Sequence, residues 1–143
     1  MTYELAHPDG YALSDDPARL DFGAVHAALA ASYWSPGVER ALVERAAAGS
    51  VPFGLYAPAG EQVGYARVVT DRATFAWLAD VYVLNAHRGR WLGVWLVGGV
   101  LAHPDLQGLR RWMLGTRDAH GLYARFGFTP LAHPEVFMQR MPT

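Results

Sequence analysis

The chain has 143 residues, 52% of them apolar and 13% aromatic, which suits one domain around one substantial core and excludes disorder. Twelve basic and thirteen acidic residues leave a formal net charge of -1, so charge gives no reason to expect nucleic acid or an anionic membrane as partner. Cysteine is absent, which rules out disulfides, thiolate nucleophiles and zinc-thiolate sites.

All the basic residues are arginine, lysine and isoleucine are missing, and Asn85 is the only asparagine. These three amino acids use AT-rich codons, so the coding genome is expected to be GC-rich and bacterial. Met1-Thr2-Tyr3-Glu4 lacks the basic and then apolar regions of a secretory signal. Trp91 to Ala102, the most apolar stretch, is too short to span a bilayer. A cytoplasmic protein is expected.

In chain order, a short leading strand falls within residues 1–13. Ser14-Asp15-Asp16-Pro17 is a turn or helix start. Phe22, Val25, His26, Leu29 and Ala30 repeat at helical spacing after Asp21, a good cap. Tyr33-Trp34-Ser35-Pro36-Gly37 breaks that helix, and a second runs from Val38 to Ala48. The period then changes. Val51–Ala57 and Gln62–Thr70 flank Pro58-Ala59-Gly60 as a hairpin, and Phe75–Leu84 is a third strand.

A helix over Leu92–Ala102, a strand over Arg111–Thr116, a helix over Asp118–Phe126 and a last strand over Val136–Met141 complete the expectation. A strand-helix-strand unit beside meander strands implies a parallel pair with a crossover in a mostly antiparallel sheet. Ligands favour the place where such strands part, near the start of the crossover helix.

The loop there reads Arg88-Gly89-Arg90-Trp91-Leu92-Gly93 and runs into the helix at Val94. A helix N-terminus offers unpaired N–H groups, glycine lets backbone close on a phosphate, and arginines favour a pyrophosphate. A glycine at an ordinary turn reads the same way. Asp80 stands inside the apolar run Trp77-Leu78-Ala79-Asp80-Val81-Tyr82-Val83, where a carboxylate is costly unless paired. It reads either as a base, with a pKa raised by desolvation, or as the partner of Arg67 or Arg117. On simple alternation Trp77, Ala79, Val81 and Val83 share one face, and Leu78, Asp80 and Tyr82 the other.

From Val63 to Phe128 above all, the sequence resembles the GNAT superfamily of acyl-CoA-dependent N-acetyltransferases. Leu78–Val83 is similar to that family's fourth strand. His87–Gly93 is similar to its pyrophosphate loop, in which glutamine or arginine stands at the Arg88 position and glycine or alanine at the Gly93 position. Thr116–Phe128 is similar to its later helix, where Ala119 and Tyr123 frame a run before Gly127-Phe128. Tyr33–Gly37 resembles a bacterial subgroup. The loop's central glycine is replaced by Trp91, whose indole either blocks a phosphate or turns outward over the cofactor.

The resemblance implies a single α/β (α+β) domain over residues 1–143, of GNAT type, with a mixed, mostly antiparallel sheet flanked by helices and a splayed parallel strand pair. It implies acetyl-CoA as donor and a primary amine as acceptor, by direct transfer. Tyr123 takes the role of general acid to the thiolate, although Leu122, Tyr123 and Phe126 also fit a buried stripe. Asp80 helps deprotonate the amine.

For the cofactor the resemblance implies Val81, Tyr82 and Val83 along the pantetheine arm, and Arg88, Gly89, Arg90, Trp91, Leu92, Gly93 and Val94 around the pyrophosphate. Tyr33, Trp34 and Trp77 line the acceptor pocket or fill a seam between helices. Six scattered histidines form no ligand pair at helical spacing, so no metal is expected. Gly98-Gly99 inside an apolar helix reads as close approach by a neighbouring strand, as close approach by the adenosine end of the cofactor, or as a merely tolerated pair. The partner is a small-molecule amine or a protein amine, with no nucleic acid and no membrane, and an exposed final strand suits a homodimer. The alternative function is a non-catalytic acyl-CoA or ligand-binding module that keeps the fold.

Overall fold

The computed structural model describes residues 2–142. One sheet holds six strands in chain order: β1 (Glu4–Ala6), β2 (Ala12–Ser14), β3 (Val51–Tyr56), β4 (Gln62–Thr70), β5 (Phe75–Val83) and β6 (Arg111–Leu114). Neighbours are antiparallel except β5 and β6, which are parallel. The leading strand is thus a small hairpin, and the mixed sheet expected from the chain order is present.

Apolar side chains on both faces of the central strands require cover on both sides. On one face α1 (Phe22–Ala30) and α2 (Arg40–Ala48) pack Val25, Leu29 and Val43 against Tyr65. On the other, α3 (Leu92–Leu101) buries Leu92, Leu96, Val97 and Val100 against Phe53, Leu55, Val68 and Leu78, with Tyr123 of α4 (His120–Ala124) at the margin. Asp21 caps α1 by accepting from the Ala24 N–H at 3.1 Å, as its position before the apolar repeat predicts. No helix among the described residues is long and apolar enough to cross a membrane.

Gly99 has a local reason. A Cβ there would sit 2.4 Å from Leu13 Cδ2, so the strand, through β2, explains this glycine without a ligand. The Gly99 carbonyl also accepts a hydrogen bond from the Tyr3 hydroxyl at 2.7 Å, tying the N-terminal hairpin to α3.

The last strand is not formed. Pro134–Val136 is a single 3-10 turn, and Phe137–Met141 is exposed and joins no ladder, although its apolar content reads as a strand. A strand needs a hydrogen-bonded neighbour, and prolines at 130, 134 and 142 remove donors on both flanks. β6 is therefore an edge of the sheet.

Candidate active site

The parallel pair β5–β6 is in register only from Phe75–Arg111 to Leu78–Leu114. Beyond it β5 runs on to Val83, while the other chain turns away at Gly115. The edge of β5 from Ala79 to Val83 that faces β6's side therefore lacks a strand partner. A cleft of about 1230 Å3 opens there, somewhat larger than the about 300–1,000 Å3 of ordinary ligand sites.

A β-bulge shapes the strand at this point. Tyr65 pairs with Tyr82 and Arg67 with Ala79, so Asp80 and Val81 together oppose Ala66. Asp80 has φ 57°, in the left-handed region that aspartate tolerates better than most side chains. The bulge changes the expected alternation. Ala76 and Leu78 face the α3 core, and so do Val81 and Val83, whereas Tyr82 packs towards α1 and α2. The expectation that Val81 and Val83 share a face with Trp77 and Ala79 is wrong, because an extra residue inverts parity in a period of two.

Both oxygens of Asp80 are engaged. Arg67 Nε donates to Oδ2 at 2.8 Å and Trp34 Nε1 donates to Oδ1 at 3.0 Å. The pair is largely buried, with the Arg67 and Asp80 side chains 19% and 12% exposed. Arg67 Nη1 donates further to Ser50 Oγ at 3.1 Å. A carboxylate has about four lone-pair sites, so about two remain for a ligand. Tyr33 meets Trp34 edge-to-face at 5.1 Å, and its hydroxyl accepts from the Arg117 N–H at 2.8 Å. Trp77 leans across the parallel pair towards Gly115. Tyr33, Trp34 and Trp77 all line the cleft.

Across from them is Tyr123, 8% exposed, its ring edge-on to Phe128 at 5.9 Å. It belongs to the core margin and lines the cleft as well. Burial, helped by the nearby Tyr33 phenol, pushes its pKa up to about 12, so it keeps its proton at neutral pH.

At the far end, α3 begins without a side-chain cap and without an acidic residue in its first turn. The N–H groups of Leu92, Gly93 and Val94 precede the first intrahelical bond, from Trp95 N–H to the Trp91 carbonyl, and all three residues line the cleft. A Cβ at Gly89 or Gly93 would meet open space. Arg88 holds the loop by donating from Nε to the Val83 carbonyl at 3.0 Å. Arg90 is exposed and lies outside the cleft lining.

Trp91 occupies φ 58°, ψ 19°, the conformation glycine would adopt without strain. Its indole turns outward, 66% exposed, with the Arg125 guanidinium 4.7 Å from the ring centre. Trp91→Gly is expected to be about 1 kcal/mol more stable than Trp91→Ala, because both lose the indole but only alanine keeps the left-handed cost. Urea denaturation of the two variants checks this, and equal midpoints would refute it.

Sequence reasoning missed two parts of this site. Ser50 anchors Arg67, and the Arg117–Tyr33 bond joins two loops 84 residues apart. Neither carries a local signal.

The sequence profile of the GNAT acetyltransferase domain matches residues 49–130. The chain belongs to the GNAT acetyltransferase family. A GNAT-family crystal structure from Xanthomonas campestris, provisionally named an acetyltransferase, is 49% identical, with TM-score 0.89, covering 92% of this chain and 93% of that one. A Gibberella zeae protein, also provisionally named an acetyltransferase, is 34% identical over 137 residues, covering 80% of this chain and 76% of its own length. A Mycobacterium tuberculosis protein crystallised with CoA shares the fold at 22% identity and TM-score 0.62, covering 79% of this chain and 70% of that one. The GNAT fold accounts for the order of elements, the parallel pair and the cleft between its strands.

Proposed function

We propose that this GNAT protein is an N-acetyltransferase that passes the acetyl group of acetyl-CoA directly to a primary amine. One observation carries the reading. The unpaired edge of β5, the uncapped start of α3 and the protonated Tyr123 all open into one cleft. The CoA complex of the Mycobacterium tuberculosis neighbour supports the choice of donor.

The residues present fit acetyl-CoA. The N–H groups at Leu92, Gly93 and Val94, with Gly89 and Arg88 beside them, suit a pyrophosphate. The Val81–Val83 backbone, including Tyr82, suits an extended amide-bearing arm as an added strand. When bound, acetyl-CoA supplies an activated carbonyl and a thiol leaving group. Asp80, which lines the cleft, takes up the ammonium proton, directly or through water. Backbone N–H groups at the bulge steady the carbonyl oxygen as it gains charge. Tyr123 offers its hydroxyl proton to the departing sulfur. Holding both reactants in one cleft supplies much of the rate. We place this reaction in the cytoplasm.

Calorimetric titration with acetyl-CoA tests the reading, and micromolar affinity is the expected result. No heat at millimolar ligand would sink it. Trp91 favours a second reading, a binding module without catalysis, since the indole stands where the family has glycine. Thiol release from acetyl-CoA with a panel of amines separates the two: binding without release supports the module.

A further inference from the structure

We propose that the acceptor is an amine that also carries a carboxylate, held with its ammonium at Asp80 and its carboxylate at Arg117. This rests on the acetyl-transfer reading of the cleft.

Three arginines line the cleft: Arg67, Arg88 and Arg117. Arg67 is engaged by Asp80 and Ser50, and Arg88 by the Val83 carbonyl. Arg117 is different. Its guanidinium lies over the Tyr33 ring, 3.9 Å from the centroid, and makes no ion pair among the described residues. Asp118, its exposed chain neighbour in the cleft lining, forms no ion pair with it either.

Stacking holds a guanidinium by its face and leaves the N–H groups on its rim available. That rim matches a carboxylate in a bidentate fork. The Arg117 backbone N–H is also bonded to the Tyr33 hydroxyl at 2.8 Å, so the side chain starts from a fixed point. A charge prepared in this way loses less entropy on binding than a free surface arginine.

The position also separates Arg117 from the phosphate end. Tyr33 and Trp34 follow α1, and Asp80 meets Trp34 and Arg67 on the α1–α2 side of the sheet. The start of α3 belongs to the opposite side. Arg117, Tyr33, Trp34 and Asp80 touch in sequence along one wall, with a cation at one end, a carboxylate at the other and aromatic faces between. Arg67 already offsets the charge of Asp80, so the wall does not favour polyamines. A zwitterion whose ammonium and carboxylate stand at opposite ends of an apolar spacer, an ω-amino acid, matches a wall with its charges at the two ends and covers the half-exposed Trp34 and Trp77.

The test is titration of the full chain, followed by tryptophan fluorescence, with 6-aminohexanoate, its amide, hexylamine and the aminoalkylphosphonate of the same length. Thiol release from acetyl-CoA is measured with the same four. 6-Aminohexanoate is expected to bind at least about tenfold more tightly than its amide or hexylamine. Arg117→Met should abolish that ratio, and Arg117→Lys should keep part of it, since the charge remains but the fork is lost.

Equal binding of the four, no binding at millimolar concentration, or an unchanged ratio in Arg117→Met would overturn the proposal. A clear preference for the phosphonate would replace carboxylate by phosphonate and overturn it as well. Thiol release that ignores the carboxylate leaves acetyl transfer standing and removes this inference. A carboxylate preference in a protein that does not bind acetyl-CoA does the reverse.

Discussion

Replacing Tyr123 by phenylalanine is expected to lower kcat by about 10²–10⁴-fold, the usual contribution of one positioned proton donor. The ring and its contact with Phe128 survive this change, so acetyl-CoA affinity and thermal midpoint should move little. The pH profile is the sharper readout. A phenol raised to about 12 stays protonated through the range in which an ordinary tyrosine ionises, near about 10. The protonated form is the active one, so wild-type kcat should show no descending limb from this group up to about pH 10. A thiol with pKa near about 8.5 is a far stronger acid than this phenol, so full transfer from a resting tyrosine is uphill. The hydroxyl therefore acts first as a hydrogen-bond donor to sulfur, and the proton follows late. Unchanged kcat in Tyr123→Phe would reduce the residue to a core tyrosine at the cleft margin.

The second large effect belongs to Asp80, where stability and chemistry meet. Asp80→Ala removes the partner of a largely buried Arg67 and places alanine at φ 57°. Breaking a fully buried pair costs about 3–5 kcal/mol, and residual solvent contact brings the expected loss to about 2 kcal/mol, read by urea denaturation. Asp80→Asn keeps the shape and suits the left-handed backbone, so it should fold with a smaller loss. In that variant kcat/KM for an amine should fall by about 10²-fold near neutral pH. The deficit should shrink as pH approaches the amine's own pKa, because the free amine then needs no base. A deficit of the same size at every pH would assign Asp80 to positioning through Arg67 and Trp34 and remove it as a base.

The elements most legible in the sequence were those with strong local signals. Asp21 before a helical apolar repeat gave α1, Pro58-Ala59-Gly60 between two apolar runs gave the β3–β4 hairpin, and Gly89 to Gly93 marked the start of α3. The last strand was misread because Phe137–Met141 has the composition of a strand but no neighbour to bond with. The faces of β5 were misread at one residue. Nothing in Ala79-Asp80-Val81 announces a bulge, and the left-handed φ at Asp80 is stabilised by partners that come from α1's end and from β4.

The sequence by itself determined the class of fold, the order of its elements and the segment where the two parallel strands part. Period, capping and turn chemistry act over a few residues and can be read one segment at a time. Only the tertiary structure decided that Asp80 is bound by Arg67 and Trp34, that Trp91 turns to solvent, and that Arg117 lies over the Tyr33 ring in the cleft lining. Those facts depend on contacts between distant segments, where geometry fixes which charges meet and which are left available for a ligand.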